Sequence, residues 1–216
     1  QAPFFRFLTM IYFDSDYMAG AHPEVLKRLV ETNTEQTVGY GCDHYTKRAV
    51  ALIREACGLP DARVQLLVGG TQTNATLIDA LLARHEGVLA AETGHIAVHE
   101  SGAVEASGHK VLPLPHHDGK VAAEEVAHYI EEFYRDETYE HMVAPGMLYI
   151  SQPTEYGTVY SKAELEALAT VCRKAEIPLY IDGARLGYAL AAEGNDLSLK
   201  ELAALADVFY IGGTKV

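Results

Sequence analysis

Short apolar runs alternate along this chain with longer stretches whose apolar residues recur every three to four positions, and few architectures accept that order. PEVLKRLVETN has a proline at its start and helical spacing at Val25, Leu26 and Leu29, which predicts a helix. A second helix is expected over 45–57, stopped by Gly58 and Pro60. Val64-Gln65-Leu66-Leu67-Val68 reads as a buried strand halted by Gly69-Gly70, with a helix following over 73–83. Further strands are expected at 87–91, 109–114, 147–151, 179–181 and 207–211, and helices over 121–134 and 162–175. Strands joined through helices pair in parallel, and a parallel sheet needs both faces covered. The fold class is therefore α/β: a mainly parallel sheet with helices on both faces. In such sheets ligands bind at the carboxyl ends of the strands.

With 216 residues, 49% of them hydrophobic, the chain can bury one sizeable core, as one large domain or one plus a fragment. Thirty acidic residues against seventeen basic ones leave a formal charge of −13. So negative a surface repels phosphodiester backbones and argues against nucleic-acid partners, while backbone N–H groups can still hold a small phosphate. Cys42, Cys57 and Cys172 form no zinc pattern and no CxxC pair, the usage of reduced thiols in a cytoplasmic protein. No apolar stretch is long enough for a membrane span. Residues 1–9, QAPFFRFLT, read first as a leader foreign to the fold and second as a native β-arm. His95 and His99 have i,i+4 spacing and His116-His117-Asp118 is a tight cluster, but neither is HExxH, so no metal is expected.

Three of the expected strand ends carry residues suited to a common ligand. Gly69-Gly70-Thr71-Gln72-Thr73-Asn74 lets the backbone approach an anion, aims helix N–H groups at it and offers the hydroxyls of Thr71 and Thr73. It is neither a Walker loop nor GxGxxG, and a plain strand-to-helix turn with a threonine cap explains the same residues. In Leu179-Tyr180-Ile181-Asp182-Gly183-Ala184-Arg185, a carboxylate directly after an apolar strand costs free energy unless a cation offsets it. That cation is either a ligand group, such as a protonated pyridine nitrogen, or Arg185 in an internal ion pair. A free Arg185 suits a two-pronged contact with a carboxylate. The third end, Asp207-Val208-Phe209-Tyr210-Ile211-Gly212-Gly213-Thr214-Lys215, holds a lysine amine near the sheet edge. Burial or nearby cations make such an amine a nucleophile; otherwise it is a solvated surface lysine. What unites the three is their order: anion loop first, carboxylate later, lysine last.

In that order the sequence resembles the threonine aldolase and β-eliminating lyase family of fold-type-I pyridoxal-phosphate enzymes. The resemblance is carried by FDSDYMAGAHPEVL, VGYGCDHY, GGTQTN, ETGHIAVHESGA, SQPTEYGTVYS, YIDGARLGYAL and FYIGGTK, nearly the whole chain after residue 11. It implies pyridoxal 5'-phosphate as cofactor, with Lys215 carrying the cofactor aldehyde and Asp182 paired with the pyridine nitrogen. It further implies that Gly70 and Thr71 cup the phosphate and that His95 stacks on the ring and serves in proton transfer. Arg185 and Ser15 would hold the substrate carboxylate. Read without the resemblance, His95 at a helix start is an ordinary structural histidine. The opening SDYMAGAHPEVL and the stretch QPTEYGTVYS depart from the better-known aldolase pattern, which places Thr154 and Glu155 where substrate-facing side chains are expected.

The implied reaction is retro-aldol cleavage of a β-hydroxy amino acid, L-threonine by default, to glycine and an aldehyde. β-Elimination, transamination and a non-catalytic cofactor-binding fragment are the alternatives. The chain ends at Val216, where the family continues into a C-terminal small domain, so residues 10–216 read as a large domain cut just after its lysine. Members of this fold build their sites at subunit interfaces, which implies a homodimer or homotetramer. Tyr40 in GYGCDHY is either a residue reaching a neighbour's site or a core aromatic.

Overall fold

A computed structural model describes residue 12 and residues 14–215; the stretch 1–9 lies outside the described residues. The chain begins with helices α1 (Pro23–Thr32), α2 (His44–Cys57) and α3 (Gly70–Leu81). Strand β1 (Glu86–Ala91), the short helices α4 (His95–Val98) and α5 (Ala103–Ala106), and β2 (Val111–Leu114) follow. Helix α6 (Ala123–Arg135), a 3-10 turn (Tyr139–His141), β3 (Ala144–Ser151) and α7 (Lys162–Lys174) lead to β4 (Leu179–Asp182). The described chain closes with α8 (Leu186–Ala191), α9 (Leu199–Leu205) and β5 (Val208–Phe209). The five strands form one parallel sheet in the order β2-β1-β3-β4-β5, the expected α/β class.

Alternation along the strands divides the core in two. Leu89, Leu148, Ile150, Leu179 and Ile181 face one side and pack on α6, α7 and α9 through Val126, Leu165, Leu168 and Leu202. Val88, Ala90, Met147, Tyr149 and Tyr180 face the other and meet Ile78 of α3, Ile96 of α4 and Val104 of α5. Each such aliphatic side chain contributes about 1.5–3 kcal/mol when fully buried. The connection out of β1 runs to β2 on one side, and that out of β3 runs to β4 on the other. The carboxyl ends of β1 and β3 therefore flank a topological switch point, where a crevice opens. Farther along the sheet, a Cβ on Gly183 would stand 1.9 Å from the Tyr210 carbonyl oxygen, so only glycine lets the segments leaving β4 and β5 run so close.

One expected strand is absent. The run 64–68 enters no sheet, and Leu66, Leu67 and Val68 are exposed, Val68 at 92%. An apolar run becomes a strand only where a sheet edge accepts its hydrogen bonds. Here a cleft of about 260 Å³, lined by both segments, separates it from β5. Helix α3 starts three residues earlier than the periodicity indicated, so Gly70 is its first residue. The last strand is confined to Val208–Phe209. Helix α1 is amphipathic yet buries nothing: Val25, Leu26, Leu29 and Val30 all face outward. Tyr40 has a φ of +59° and is fully exposed, which removes its reading as a core aromatic.

Candidate active site

The carboxyl ends of β1, β3, β4 and β5 and the N-terminus of α3 enclose a cavity of about 660 Å³. Its floor is Asp182, the last residue of β4, which is 3% exposed. A carboxylate so placed must be supplied with donors. Its Oδ1 accepts from the Ala184 N–H at 2.9 Å, and its Oδ2 accepts from the Tyr149 hydroxyl at 2.6 Å and from Asn74 Nδ2 at 3.2 Å. Burial, reinforced by the charge of Asp182, pushes the Tyr149 phenol well above its ordinary pKa, which keeps it a donor.

His95 is the first residue of α4, directly past β1. Its N–H donates to Glu155 Oε1 at 3.0 Å, and its Nδ1 lies 2.8 Å from Glu100 Oε1. Hydrogen bonding to Glu100 raises the imidazole pKa, with burial opposing. Glu100 is itself buried, and its Oε1 also accepts from Asn74 Nδ2 at 2.7 Å. The Asn74 oxygen accepts from the Tyr180 hydroxyl at 2.6 Å, so this amide uses two donors and an acceptor. Glu155 Oε1 accepts additionally from Ser151 Oγ at 2.6 Å.

Opposite, α3 begins at the cavity wall with no side-chain cap on its first turn, leaving N–H groups and the positive end of the helix dipole directed at the space. The Thr73 hydroxyl, considered above as an anion donor, instead donates to the Gly69 carbonyl at 2.8 Å. Lys215 borders the same cavity, its Nζ 5.7 Å from the centroid of Tyr17. Arg185 forms a two-pronged ion pair with Asp16 and not with Asp182, which overturns the internal Asp182–Arg185 reading. That contact raises the pKa of Arg185 and lowers that of Asp16.

Of the residues singled out in the sequence, Gly70, Thr71, His95, Asp182, Arg185 and Lys215 line this one cavity. Ser15 is not among its walls; its Oγ accepts from the Tyr17 N–H at 3.4 Å, and Tyr17 faces the cavity instead. Thr154 is buried with its hydroxyl bonded to Thr158 at 2.7 Å, so of the expected substrate-facing pair only Glu155 reaches the space. Sequence reasoning missed Asp16, Asn74, Glu100 and Tyr149. For Glu100 a signal existed, a carboxylate five residues after His95 in an apolar turn. Nothing local marks Asn74, 26 residues from Glu100 and 108 from Asp182.

Residues 13–216 match the Beta-eliminating lyase family. Low specificity L-threonine aldolases of Pseudomonas aeruginosa and of Pseudomonas sp. (strain NCIMB 10558) are each 31% identical over 205 residues, 94% of this chain and 58% of theirs. The solved threonine aldolase of Leishmania major superposes with a TM-score of 0.88 at 44% identity, over 93% of this chain and 57% of that one. An archaeal alanine:glyoxylate aminotransferase, at 19% identity and a TM-score of 0.68 over 89% of this chain and 48% of that one, shares the fold. This chain spans 58% of the length of the curated relatives it matches. With the match running from residue 13 to residue 216, the chain belongs to the β-eliminating lyase family of fold-type-I pyridoxal-phosphate enzymes.

Proposed function

We propose that residues 10–216 form the cofactor-binding large domain of a lyase that cleaves a β-hydroxy amino acid, L-threonine or a close analogue, to glycine and an aldehyde, with pyridoxal 5'-phosphate as cofactor. One observation carries this reading: the uncapped N-terminus of α3, the buried Asp182 and the Lys215 amine border a single cavity. These groups fit the cofactor part by part. Free N–H groups on Gly70 and Thr71 suit a phosphate dianion, and a Cβ on Gly70 would come within 2.9 Å of the Tyr210 hydroxyl. A fixed anion at Asp182 suits a protonated pyridine nitrogen, and a primary amine at Lys215 suits an aldehyde.

Bound there, the cofactor supplies an electron sink for the bonds at the substrate Cα. The chain's own residues do the remainder. Gly70 and Thr71 hold the phosphate, and Asp182, held by Tyr149, Asn74 and Ala184, keeps the pyridine nitrogen charged. His95, on the cavity wall, would stack on the cofactor ring, and its Nε2 would take the proton of the β-hydroxyl. Arg185 binds the substrate carboxylate, without Ser15, which does not line the cavity; Asp16 occupies that guanidinium in its place. By fixing the carboxylate, Arg185 would decide which bond at the substrate Cα is held for cleavage. Glu155, rigid between Ser151 and the His95 N–H, faces the substrate side chain.

β-Elimination is the second reading, favoured by the family's own description. Incubating cofactor-loaded protein with L-threonine separates the two: glycine and acetaldehyde support cleavage, ammonia and a 2-oxo acid support elimination. No product from L-threonine, its allo isomer or phenylserine contradicts both. The outward apolar stripe of α1 and the exposed Tyr40 support association of two or four copies, which light scattering after gel filtration tests. Three free cysteines support a reducing, cytoplasmic compartment. No described helix is long and apolar enough to cross a membrane.

A further inference from the structure

The cavity wall contains a buried acidic group that the proposed chemistry does not use. Glu100 has no exposed side-chain surface, yet its Oε2 has no partner among the described residues. Both donors that reach it converge on Oε1: Asn74 Nδ2 at 2.7 Å and His95 Nδ1 at 2.8 Å. An unsatisfied buried carboxylate oxygen is a cost a purely structural site has no reason to carry. Asn74 cannot swing away, because its second amide hydrogen is directed at Asp182 and its oxygen takes the Tyr180 hydroxyl. Glu100 is thus fixed through Asn74 to the same anchor that holds the floor of the cavity.

We propose that Glu100 is a positioning residue for His95: held by Asn74, it binds the Nδ1–H of the imidazole and leaves Nε2 as the ring atom presented to the cavity. A histidine free in water favours neither orientation of its ring nor this tautomer; the hydrogen bond at one nitrogen decides what the other can do. The second contact to His95, its backbone N–H on Glu155, fixes where the residue starts but not which way the ring turns. Glu100 supplies that missing constraint. By joining Glu100 to Asp182, Asn74 also ties the proton-handling group to the carboxylate on the cavity floor through one amide. The proposal rests on the reading above only for what His95 is used for; the tautomer and its cause belong to the chain itself.

The test is nitrogen-15 NMR of the histidines across a pH series on this 216-residue chain without cofactor, for the parent, Glu100→Gln and Glu100→Asp. The charges facing His95 are Glu100 from the segment after α4, Glu155 from the loop after β3 and Asp182 from β4, and the ring of His99, the residue that ends α4, has its centroid 5.3 Å away. Of these only the first is altered. In the parent, His95 should hold its proton on Nδ1 when neutral. In Glu100→Gln its titration midpoint should fall toward the ordinary histidine value. Glu100→Asp keeps the charge but shortens the reach by one methylene, so the Nδ1–H preference should weaken while the midpoint stays above that of Glu100→Gln. A Glu100→Gln midpoint equal to the parent's overturns the proposal. Should thermal unfolding show that Glu100→Gln does not fold, an undiminished Nδ1–H population in Glu100→Asp overturns it instead. Because no cofactor enters this experiment, its failure is separate from a failure of the chain to bind pyridoxal phosphate.

Discussion

Asn74→Ala probes the polar interior of the cavity most sharply. The side chain is completely buried and makes three contacts: to Glu100 at 2.7 Å, to Asp182 at 3.2 Å and from Tyr180 at 2.6 Å. Truncation removes two bonds to carboxylates, although Glu100 keeps His95 and Asp182 keeps Tyr149 and Ala184. It also leaves the Tyr180 hydroxyl a buried donor without an acceptor. At about 1.5 kcal/mol for each charge-assisted bond and a further 1–2 for the orphaned hydroxyl, the loss should be roughly 4–5 kcal/mol. Urea unfolding followed by circular dichroism measures it. Tyr180→Phe supplies the control, since it removes the donor that Asn74→Ala strands. Combined in one chain, the two substitutions should cost about 1–2 kcal/mol less than their sum. A loss below about 1 kcal/mol for Asn74→Ala, or strict additivity in the cycle, would show that Asn74 does not hold the two carboxylates and the Tyr180 hydroxyl together.

Gly70→Ala should weaken pyridoxal phosphate binding by at least about tenfold in a fluorescence titration, since the added methyl comes within 2.9 Å of the Tyr210 hydroxyl beside the phosphate donors; unchanged affinity would show that the α3 N-terminus is not the phosphate site. The bond to Arg185 lowers the Asp16 pKa, so that ion pair persists above the usual carboxylate range and is lost as pH falls through the lowered value. Asp16→Asn should accordingly free Arg185 at neutral pH and lower KM for the amino acid with little change in kcat, which steady-state kinetics checks. Burial pushes the Cys172 thiol up to about 12 and raises that of Cys57, while Cys42 is exposed. Mass spectrometry after brief alkylation at neutral pH should therefore find Cys42 modified in native protein and all three thiols modified in urea.

Strands β1, β3 and β4 were legible because each is an apolar run buried on both faces, and that pattern survives whatever surrounds it. The run 64–68 has the same composition and failed, because pairing depends on a neighbour and not on the run itself. Asp182 and Lys215 could be singled out because polar residues at or shortly past the ends of apolar strands stand near the sheet edge. Arg185 was legible as a carboxylate binder, but its partner was not: Asp16 lies 169 residues earlier. Asn74 was invisible for the same reason, since it looks like an ordinary polar residue until α3 and the turn after α4 meet over β4; for Glu100 only its spacing from His95 gave a hint. Of the two readings open for Thr73, anion donor or local turn partner, the structure shows the local one, because a helix-start hydroxyl has an internal acceptor one turn back.

In the proposed function Lys215 carries the cofactor on this chain. Visible absorption of purified protein with added pyridoxal phosphate, recorded beside a Lys215→Ala variant, tests it most directly. A lysine-bound cofactor band is expected in the parent and not in the variant, and borohydride reduction should leave the cofactor mass on the peptide containing Lys215. A band of equal strength in both proteins, or a reduced adduct on a different lysine, would contradict it.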